Sequence, residues 1–293
     1  MQRIVLEKGS LWSLFLLCGH LWLSAYSATV AAAQCDLSEQ QMRSLPIVSI
    51  ARVFDGDTVA LSDGRKVRFI GINTPEVARQ DQPVEPIADQ ARAALLLWQG
   101  KRVYMLVGNE RKDHYGRTLA HLFALNGSNL TAYLLEQGLG FTVTLPPNER
   151  FADCYTAKAA LAREQQLGVW RSRYHRIRST SLPADLKGGF GRYRGKIERI
   201  YVSKKVIWVD MFGDVSLRIA RKDQAFVDGQ VLSRLLKAAD EDAVLQLPQL
   251  EFSGWLIDRT RWGRKMVNKI KSGKRKRWQM NIRHRNHWRL ANL

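Results

Sequence analysis

The sequence has 293 residues, 45% of them hydrophobic and 25% charged, which excludes wholesale disorder and leaves room for one large or two small domains. Its 46 lysine and arginine residues exceed the 27 acidic ones, so the formal net charge is +19 at pH 7. Such a charge favours phosphate-bearing partners, although a generally basic surface that only aids solubility would give the same balance.

The first 33 residues have the pattern of a bacterial export signal. Two basic residues precede an apolar run, and small residues at Ala31 and Ala33 suit cleavage after Ala33. An uncleaved membrane anchor is the alternative, but glycine, histidine and serine residues make the run a poor span. We therefore expect a periplasmic or secreted protein that is not stably inserted in a membrane once residues 1–33 are removed.

The cysteine count agrees with an oxidising compartment. Cys18 would leave with the signal, so Cys35 and Cys154 remain as an even pair. We expect these two to form a disulfide, and two free buried thiols are the alternative.

Hydrophobic periodicity then predicts a first domain over residues 48–171, preceded by a lead segment over 34–47. Alternating and β-branched stretches indicate strands, whereas apolar residues at helical spacing, closed by glycine, indicate helices. In chain order, we expect strands within 48–72, a helix over 84–100, strands over 101–107 and 116–125, and helices over 128–138 and 148–168.

A second unit is predicted over residues 190–293, after a linker rich in basic, serine and glycine residues over 172–189. The patterns indicate strands within 195–221, a helix near 223–240, a strand over 249–258 and a basic hairpin within 265–282. The fold class that we expect is mainly β with helices (α+β), built as two compact barrels.

One group of polar residues matches the chemical demands of cutting a phosphodiester. A hard cation needs carboxylate and carbonyl ligands, the developing negative charge needs arginine, and a water molecule needs a base. Gly56 allows a tight turn, and Pro75 favours an extended Thr74 whose carbonyl oxygen is available. The residues that offer these groups are Asp57, Arg68, Asn73, Thr74, Glu76 and Arg117.

At these residues the chain resembles the staphylococcal-nuclease (thermonuclease) family, over about residues 48–171. The resemblance rests on the order and spacing of "DGDT" (55–58), "VRFIGI" (67–72), "NTPE" (73–76) and "DHYGRTLA" (113–120), with "LLEQGLG" and "LGVW" further on. It implies a five-stranded OB-type barrel with packed helices. It also implies hydrolysis of DNA and/or RNA with Ca²⁺ or another divalent cation. We further expect a monomer.

The resemblance also implies roles for individual residues. Asp57 and Asn73 would bind the metal through their side chains, and Thr74 would bind it through its carbonyl oxygen. Asp55 would keep the turn. Glu76 would activate the attacking water.

Cationic and aromatic residues would contact the substrate in the same scheme. Arg68 and Arg117 would stabilise the phosphoryl transition state, and Tyr115 and His114 would bind substrate. Structural explanations remain open, namely a Glu76 ion pair with Arg68, a solvated Arg117 and ordinary packing of Tyr115.

Two departures from the family pattern matter. Asn73 stands where the pattern has a carboxylate, so the site loses one negative charge and we expect weaker metal affinity. His114 replaces a common lysine, and "GFTVTLPP" (140–147) lacks the aromatic pair that contacts the base in the best-known members. Base preference therefore stays open.

The second unit is strongly basic. Residues 259–289 contain 13 lysines and arginines and no acid, with Trp262, Trp278 and Trp288 interleaved. This pattern suits either single-strand binding or tryptophans packed in a core below a charged face. The unit is similar to the small OB-like barrel appended to some secreted thermonuclease-family proteins. The alternatives to a nuclease are a nucleic-acid-binding module without hydrolysis and a basic envelope-binding protein.

Overall fold

A computed structural model describes residues 34–78, 83–227 and 229–291. The predicted signal, with Cys18, lies outside these residues. Across the described ranges, no helix is both long and apolar enough to cross a bilayer.

The first region is a closed five-stranded barrel in the order β1-β2-β3-β6-β5. Each of its strands contributes a fully buried side chain to one core: Ile50, Val59, Val67, Val103 and Ala120. The barrel strands are β1 (Ile47–Val53), β2 (Thr58–Leu61), β3 (Lys66–Phe69), β5 (Arg102–Lys112) and β6 (Thr118–Phe123). The predicted five-stranded barrel is thus confirmed, and β5 runs five residues beyond the predicted strand.

Helices and a two-stranded sheet cover this barrel. The helices are α1 (Glu39–Met42), α2 (Ala88–Leu96), α3 (Leu130–Glu136) and α4 (Ala152–Glu164). Strand β4 (Gly71–Asn73) pairs with β7 (Phe141–Val143) and so continues from the end of β3. Asn129 caps α3 by accepting a hydrogen bond from the Ala132 N–H at 3.1 Å, as the sequence predicts.

A disulfide joins Cys35 to Cys154, which confirms the predicted pair. It ties the segment before α1 to the first half of α4 across a sequence separation of 119 residues. Both cysteines are buried in the same core as the barrel strands.

Residues 178–290 build an eight-stranded sheet in the order β10-β11-β12-β14-β13-β9-β8, with β15 paired to β13. This strand order is open, with β10 and β8 at its ends, whereas the first region closes. Its strands are β8 (Arg178–Ser179), β9 (Gly189–Gly195), β10 (Ile197–Val202), β11 (Val206–Met211), β12 (Val215–Ala220), β13 (Leu250–Asp258), β14 (Trp278–Asn281) and β15 (Trp288–Leu290).

The sheet has a second hydrophobic core of its own, separate from that of the barrel. Helices α5 (Gln224–Val227) and α6 (Gln230–Asp240) lie where the sequence predicts a helix, and α6 buries Leu232 and Leu235 in this core. The α+β fold class is therefore confirmed. The exact domain boundaries stay a prediction.

The predicted basic hairpin is wrong. Residues Arg264–Lys271 form a helix, α7, and β14 pairs instead with β12 and β13. The physical reason is the spacing of Met266, Val267 and Ile270, which places three half-buried side chains on one helical face. A strand would have split Met266 and Val267 between opposite faces.

The period-two pattern further on is nevertheless correct. Trp278, Met280 and Ile282 are all buried in the second core, and Trp288 is buried there too. Trp262 alone of the three interleaved tryptophans is half exposed. Two of the three therefore serve packing and are not stacking platforms.

Candidate active site

Asp57 lies in the turn between β1 and β2 and is almost completely buried. Its Oδ2 atom accepts hydrogen bonds from the backbone N–H of Thr74 at 2.9 Å and from the Thr74 hydroxyl at 3.0 Å. The same oxygen pairs with the Arg68 guanidinium at 3.0 Å. The structure thus brings Arg68 together with Asp57 and Thr74, which are 17 positions apart in the sequence.

Gly56 makes this approach possible because there is no space for a side chain. A Cβ atom there would lie 2.5 Å from the Cβ of Ala91 and 2.8 Å from the Cγ2 of Thr74. The predicted need for glycine is met, but the cause is the close contact with α2 and Thr74 and not a left-handed backbone.

Arg68 extends from β3 and is the centre of the site. Its Nη1 donates to the carbonyl oxygens of Phe69 and Ile72, at 3.0 and 2.8 Å. Its Nη2 donates to the Asn73 Oδ1 at 3.2 Å and contacts Asp57. The two terminal nitrogens of Arg68 therefore bind the backbone at Phe69 and Ile72, the Asn73 amide and the Asp57 carboxylate together.

A second carboxylate lies beside this pair. The Asp55 Oδ1 accepts a hydrogen bond from the Asp57 N–H at 3.0 Å, and its side chain is buried. Burial, and then the neighbouring Asp57 charge, raise the pKa of Asp55 to about 6. Two buried carboxylates, those of Asp55 and Asp57, thus lie side by side in this turn.

Glu76 follows directly and is exposed. Its backbone is held by Glu85: the Glu76 N–H donates to the Glu85 carboxylate at 3.0 Å, and the Glu76 carbonyl oxygen accepts from the Glu85 N–H at 2.9 Å. The Tyr174 hydroxyl donates to the other Glu85 oxygen at 3.1 Å. The backbone of the Glu76 segment is therefore held by Glu85, which is itself held by Tyr174.

Arg117 lies at the start of β6, in a turn closed by Asp113. Its Nε and backbone N–H donate to the two Asp113 oxygens, at 2.7 and 2.9 Å. Among the described residues, its terminal nitrogens have no hydrogen-bond partner. The Tyr115 ring lies 5.4 Å from the Arg117 guanidinium, is 73% exposed and contacts the His114 ring at 3.8 Å. Such exposure makes packing a poor explanation for Tyr115.

Strand register relates the two arginines. Strands β3 and β6 are parallel, with Val67 opposite Thr118 and Arg68 opposite Leu119. Val67 and Thr118 are buried, and side chains alternate along a strand. Arg68 and Arg117, each one position away from a buried residue, therefore share the face that points away from the barrel core.

The donor atoms near Arg68 suit a hard cation. Asp57, Asn73 and the Thr74 carbonyl offer oxygen atoms only, as Ca²⁺ and Mg²⁺ prefer. The Asp57 Oδ2 and Asn73 Oδ1 converge on the same Arg68 nitrogen, and no hydrogen bond in the described part of the chain uses the Thr74 carbonyl. The residues fit such an ion, although within the described ranges no three acidic, histidine or cysteine side chains cluster as metal ligands.

Sequence reasoning missed the residues that position the site. Asp113 stands four residues before Arg117, a spacing that could have suggested the pair. Glu85 and Tyr174 carry no comparable signal because they are distant in sequence from Glu76.

This combination, a closed five-stranded barrel with a buried Asp57–Arg68 pair and two arginines that point away from its core, defines an OB-type barrel. The family described as "Staphylococcal nuclease homologue" matches residues 66–172. The chain is 33% identical over 125 residues to the thermonuclease of Staphylococcus intermedius, covering 41% of this chain and 74% of that protein. It is 29% identical over 151 residues to endonuclease YncB of Bacillus subtilis, covering 50% and 71%.

The chain belongs to the staphylococcal nuclease family. This relationship supports an endonuclease, a hydrolase that acts on nucleic acid. The matched residues include the strand of Arg68 and the turn of Arg117 and end before the eight-stranded sheet.

Proposed function

We propose that the protein is an exported, calcium-dependent endonuclease that hydrolyses phosphodiester bonds of DNA and/or RNA. The observation that carries the proposal is the convergence of Asp57 and Asn73 on Arg68, with Thr74 bound to Asp57, directly before Glu76. A buried carboxylate and its arginine, such as Asp57 and Arg68, could serve structure alone. The exposed Glu76 beside them, on a segment held by Glu85, is placed to act on a water molecule.

The cation would be held by Asp57, Asn73 and the carbonyl oxygen of Thr74. When bound, it would supply positive charge to a non-bridging phosphate oxygen. Asn73 provides an oxygen but no charge, so we expect modest affinity and keep another divalent cation as an alternative to Ca²⁺.

Glu76 would take a proton from the attacking water or orient it, and its exposure gives water access to the carboxylate. Arg117 would donate its terminal nitrogens to the phosphate, since Asp113 fixes the guanidinium through Nε. Arg68 would add charge beside the phosphate while it holds Asp57 and Asn73 in place. Tyr115 and His114 would contact the nucleotide next to Arg117.

The basic second region would gather the polyanion. Several of its cations are paired with acids, as Arg277 is with Asp258 at 2.7 Å. Five others, on and after α7, are exposed and have no ion-pair partner within the described ranges: Arg264, Lys265, Lys269, Lys271 and Lys274. Unpaired cations of this kind attract nucleic acid by releasing counterions.

Export is supported by the disulfide, because such bonds persist in oxidising compartments. We therefore keep residues 1–33 as a proposed signal peptide. A periplasmic or secreted monomer is the expected mature form.

A second candidate is a nucleic-acid-binding module that has lost hydrolysis. Asn73 favours it, because the site has one carboxylate fewer than the family pattern. The two candidates differ in whether Glu76 matters for cutting.

Replacement of Glu76 by Gln tests the choice. Single-stranded DNA and RNA would be incubated with wild type, Glu76→Gln and the exposed control Glu39→Gln, with millimolar calcium or with a chelator. We expect wild type and Glu39→Gln to cut only with calcium. Glu76→Gln should cut about 10²–10⁴-fold more slowly yet bind normally, since a general base contributes that factor.

Binding without cutting by wild type, in calcium, magnesium and manganese alike, would favour the binding module. Equal loss of binding and cutting in Glu76→Gln would contradict its role as a base.

A further inference from the structure

A cavity of about 730 Å³ lies at one end of the eight-stranded sheet, away from the residues of the candidate active site. It is lined by Ile177, both residues of β8 and Ser181, and by the end of β9 with Lys196. Phe212, in the turn between β11 and β12, and Gln249, before β13, complete it. Its volume is within the range of small-molecule sites.

Tight packing fixes the shape of this cavity. Thr180 is buried, and its hydroxyl donates to the Phe212 carbonyl oxygen at 2.9 Å. The Phe212 N–H donates to the Lys196 carbonyl oxygen, also at 2.9 Å. Gly213 has φ +96°, and a Cβ there would overlap the Thr180 carbonyl oxygen. The turn that carries Phe212 is thus held against the ends of β8 and β9.

The lining is cationic. Arg178, Arg194 and Lys196 contribute to it, and no aspartate or glutamate does. Among the described residues, Lys196 is exposed and its side chain has no partner. Arg178 makes a long hydrogen bond to the Tyr174 carbonyl oxygen, at 3.4 Å, and its guanidinium lies 6.0 Å from the centre of the Tyr174 ring, so within the described ranges no acid neutralises it there. The nearby Asp185 is already paired with Arg176 at 2.6 Å.

Even the one lining cation with an acidic partner is incompletely neutralised. Arg194 donates to Glu251, but Glu251 also accepts from Arg289 at 2.8 Å and lies 3.9 Å from Arg163. One carboxylate therefore balances three guanidinium groups. The surplus charge around the cavity is positive.

The cavity also has an aromatic surface and hydroxyl groups. Phe212 is 41% exposed, which is unusual for a phenylalanine held in so tight a turn. Ser179 and Ser181 also line the cavity. A ring for a base and cations for phosphates are the two elements of single-strand recognition.

We propose that this cavity binds one nucleotide unit of a single-stranded nucleic acid, with its base on Phe212 and its phosphates on Lys196, Arg178 and Arg194. The inference rests on the proposed nuclease function and gives the eight-stranded sheet a defined part in it. The cavity would hold the nucleic-acid strand on the eight-stranded sheet, outside the barrel.

Lys196→Glu tests the phosphate contacts, with Lys204→Glu as the control of equal charge change. Lys204 is an exposed lysine in the turn between β10 and β11, outside the cavity lining. Binding of a fluorescent oligothymidylate of about 12 nucleotides would be followed by anisotropy in chelator, so that nothing is cut. We expect Lys196→Glu to raise Kd about tenfold or more and to lower the salt slope by about one, while Lys204→Glu changes Kd about twofold at most.

Phe212→Ala tests the stacking contact, with Tyr201→Ala as the control. Both rings are on the same sheet and similarly exposed, at 41% and 44%. Phe212→Ala should raise Kd for the oligothymidylate about fivefold or more and leave Kd for an abasic strand of equal length unchanged. Tyr201→Ala should change neither.

The outcomes separate this inference from the proposed function. Equal binding by Lys196→Glu and Lys204→Glu would overturn the cavity site, whatever the cutting activity. Equal loss on the abasic strand would overturn the stacking role. Absence of cutting by wild type in calcium would instead overturn the nuclease proposal, while the binding series would still decide the cavity.

Discussion

Two buried carboxylates, Asp57 in the barrel and Glu251 in the eight-stranded sheet, have opposite electrostatic surroundings. Asp57 shares its turn with Asp55 and pairs with one arginine, Arg68. Glu251, on β13, lies opposite Arg194 on β9 and Arg289 on β15, with a third arginine from α4 near by. Two carboxylates are neighbours at the first site, whereas three arginines surround one carboxylate at the second.

The difference teaches which ion each region can accept. Neighbouring carboxylates among ordered oxygen atoms favour a cation, whereas arginines that outnumber their carboxylate favour a phosphate. One chain can therefore hold a metal ion in a barrel while its other region attracts the polyanion on which that ion acts.

The largest effect should come from removing the arginine of the acid-rich site. Arg68→Ala would leave the Asp57 carboxylate buried without its partner and would release Asn73. We expect cleavage to fall about 10²–10³-fold, the usual cost of losing one transition-state donor. The exposed Arg65, paired with Asp63, gives the control Arg65→Ala, which should keep full activity in the same assay.

The arginine-rich site should respond to loss of its acid in stability. Glu251→Gln would leave three guanidinium groups uncompensated, and we expect the free energy of unfolding to fall by about 2 kcal/mol, since the arginines are partly exposed. Urea denaturation measures the change, with the exposed Asp63→Asn as a control near zero.

Affinity for single-stranded DNA should rise in the same Glu251→Gln variant. Weaker DNA binding would contradict the view that this region faces a polyanion.

A smaller effect should follow from restoring a carboxylate to the first site. Asn73→Asp adds a negative charge next to Asp57, and we expect calcium to bind about tenfold more tightly, or about 1.4 kcal/mol. Calorimetric titration of the protein with calcium measures this. Unchanged affinity would show that Asn73 does not contact the ion.

The smallest effect should be a pH dependence of opposite sign at the two sites. Burial raises the pKa of Asp55 to about 6, so the folded state binds more protons than the unfolded state between about pH 4 and 6. Without metal, its contribution to stability is therefore lost as pH rises through 6, by about 1 kcal/mol or more. Asp55→Asn should remove this decline in thermal unfolding followed between pH 4.5 and 7.5.

Glu251 titrates the other way. Burial alone would raise its pKa, but hydrogen bonds from Arg289 and Arg194 outweigh burial, so the pKa is lowered. Its contribution is present above the usual glutamate range and is lost as pH falls through the lowered pKa. The difference in stability between wild type and Glu251→Gln should therefore disappear only in strong acid.

The sequence predicted the acid-rich site better than the arginine-rich one for a physical reason. Asp57 directly precedes β2, and Arg68 and Asn73 lie on β3 and β4; short turns join these strands, so local pattern and spacing determine their meeting. Glu251 and Arg163 meet through the packing of α4 near β13, and nothing in either local sequence records that contact.

The same reason explains the errors. Glu76 could be recognised by its motif, but the brace from Glu85 and Tyr174 depends on distant segments. The predicted hairpin fails at α7 because the buried alternation at Trp278, Met280 and Ile282 begins only after the turn that follows this helix.

The disulfide has a consequence for survival among proteases. Every proposed catalytic and metal-binding residue lies between Cys35 and Cys154 in sequence. A protease that cut an exposed turn in this interval, such as the one at Asp63 and Gly64, would leave both fragments covalently joined. Such a nicked molecule would migrate as a single species on a non-reducing gel and separate into two only after reduction.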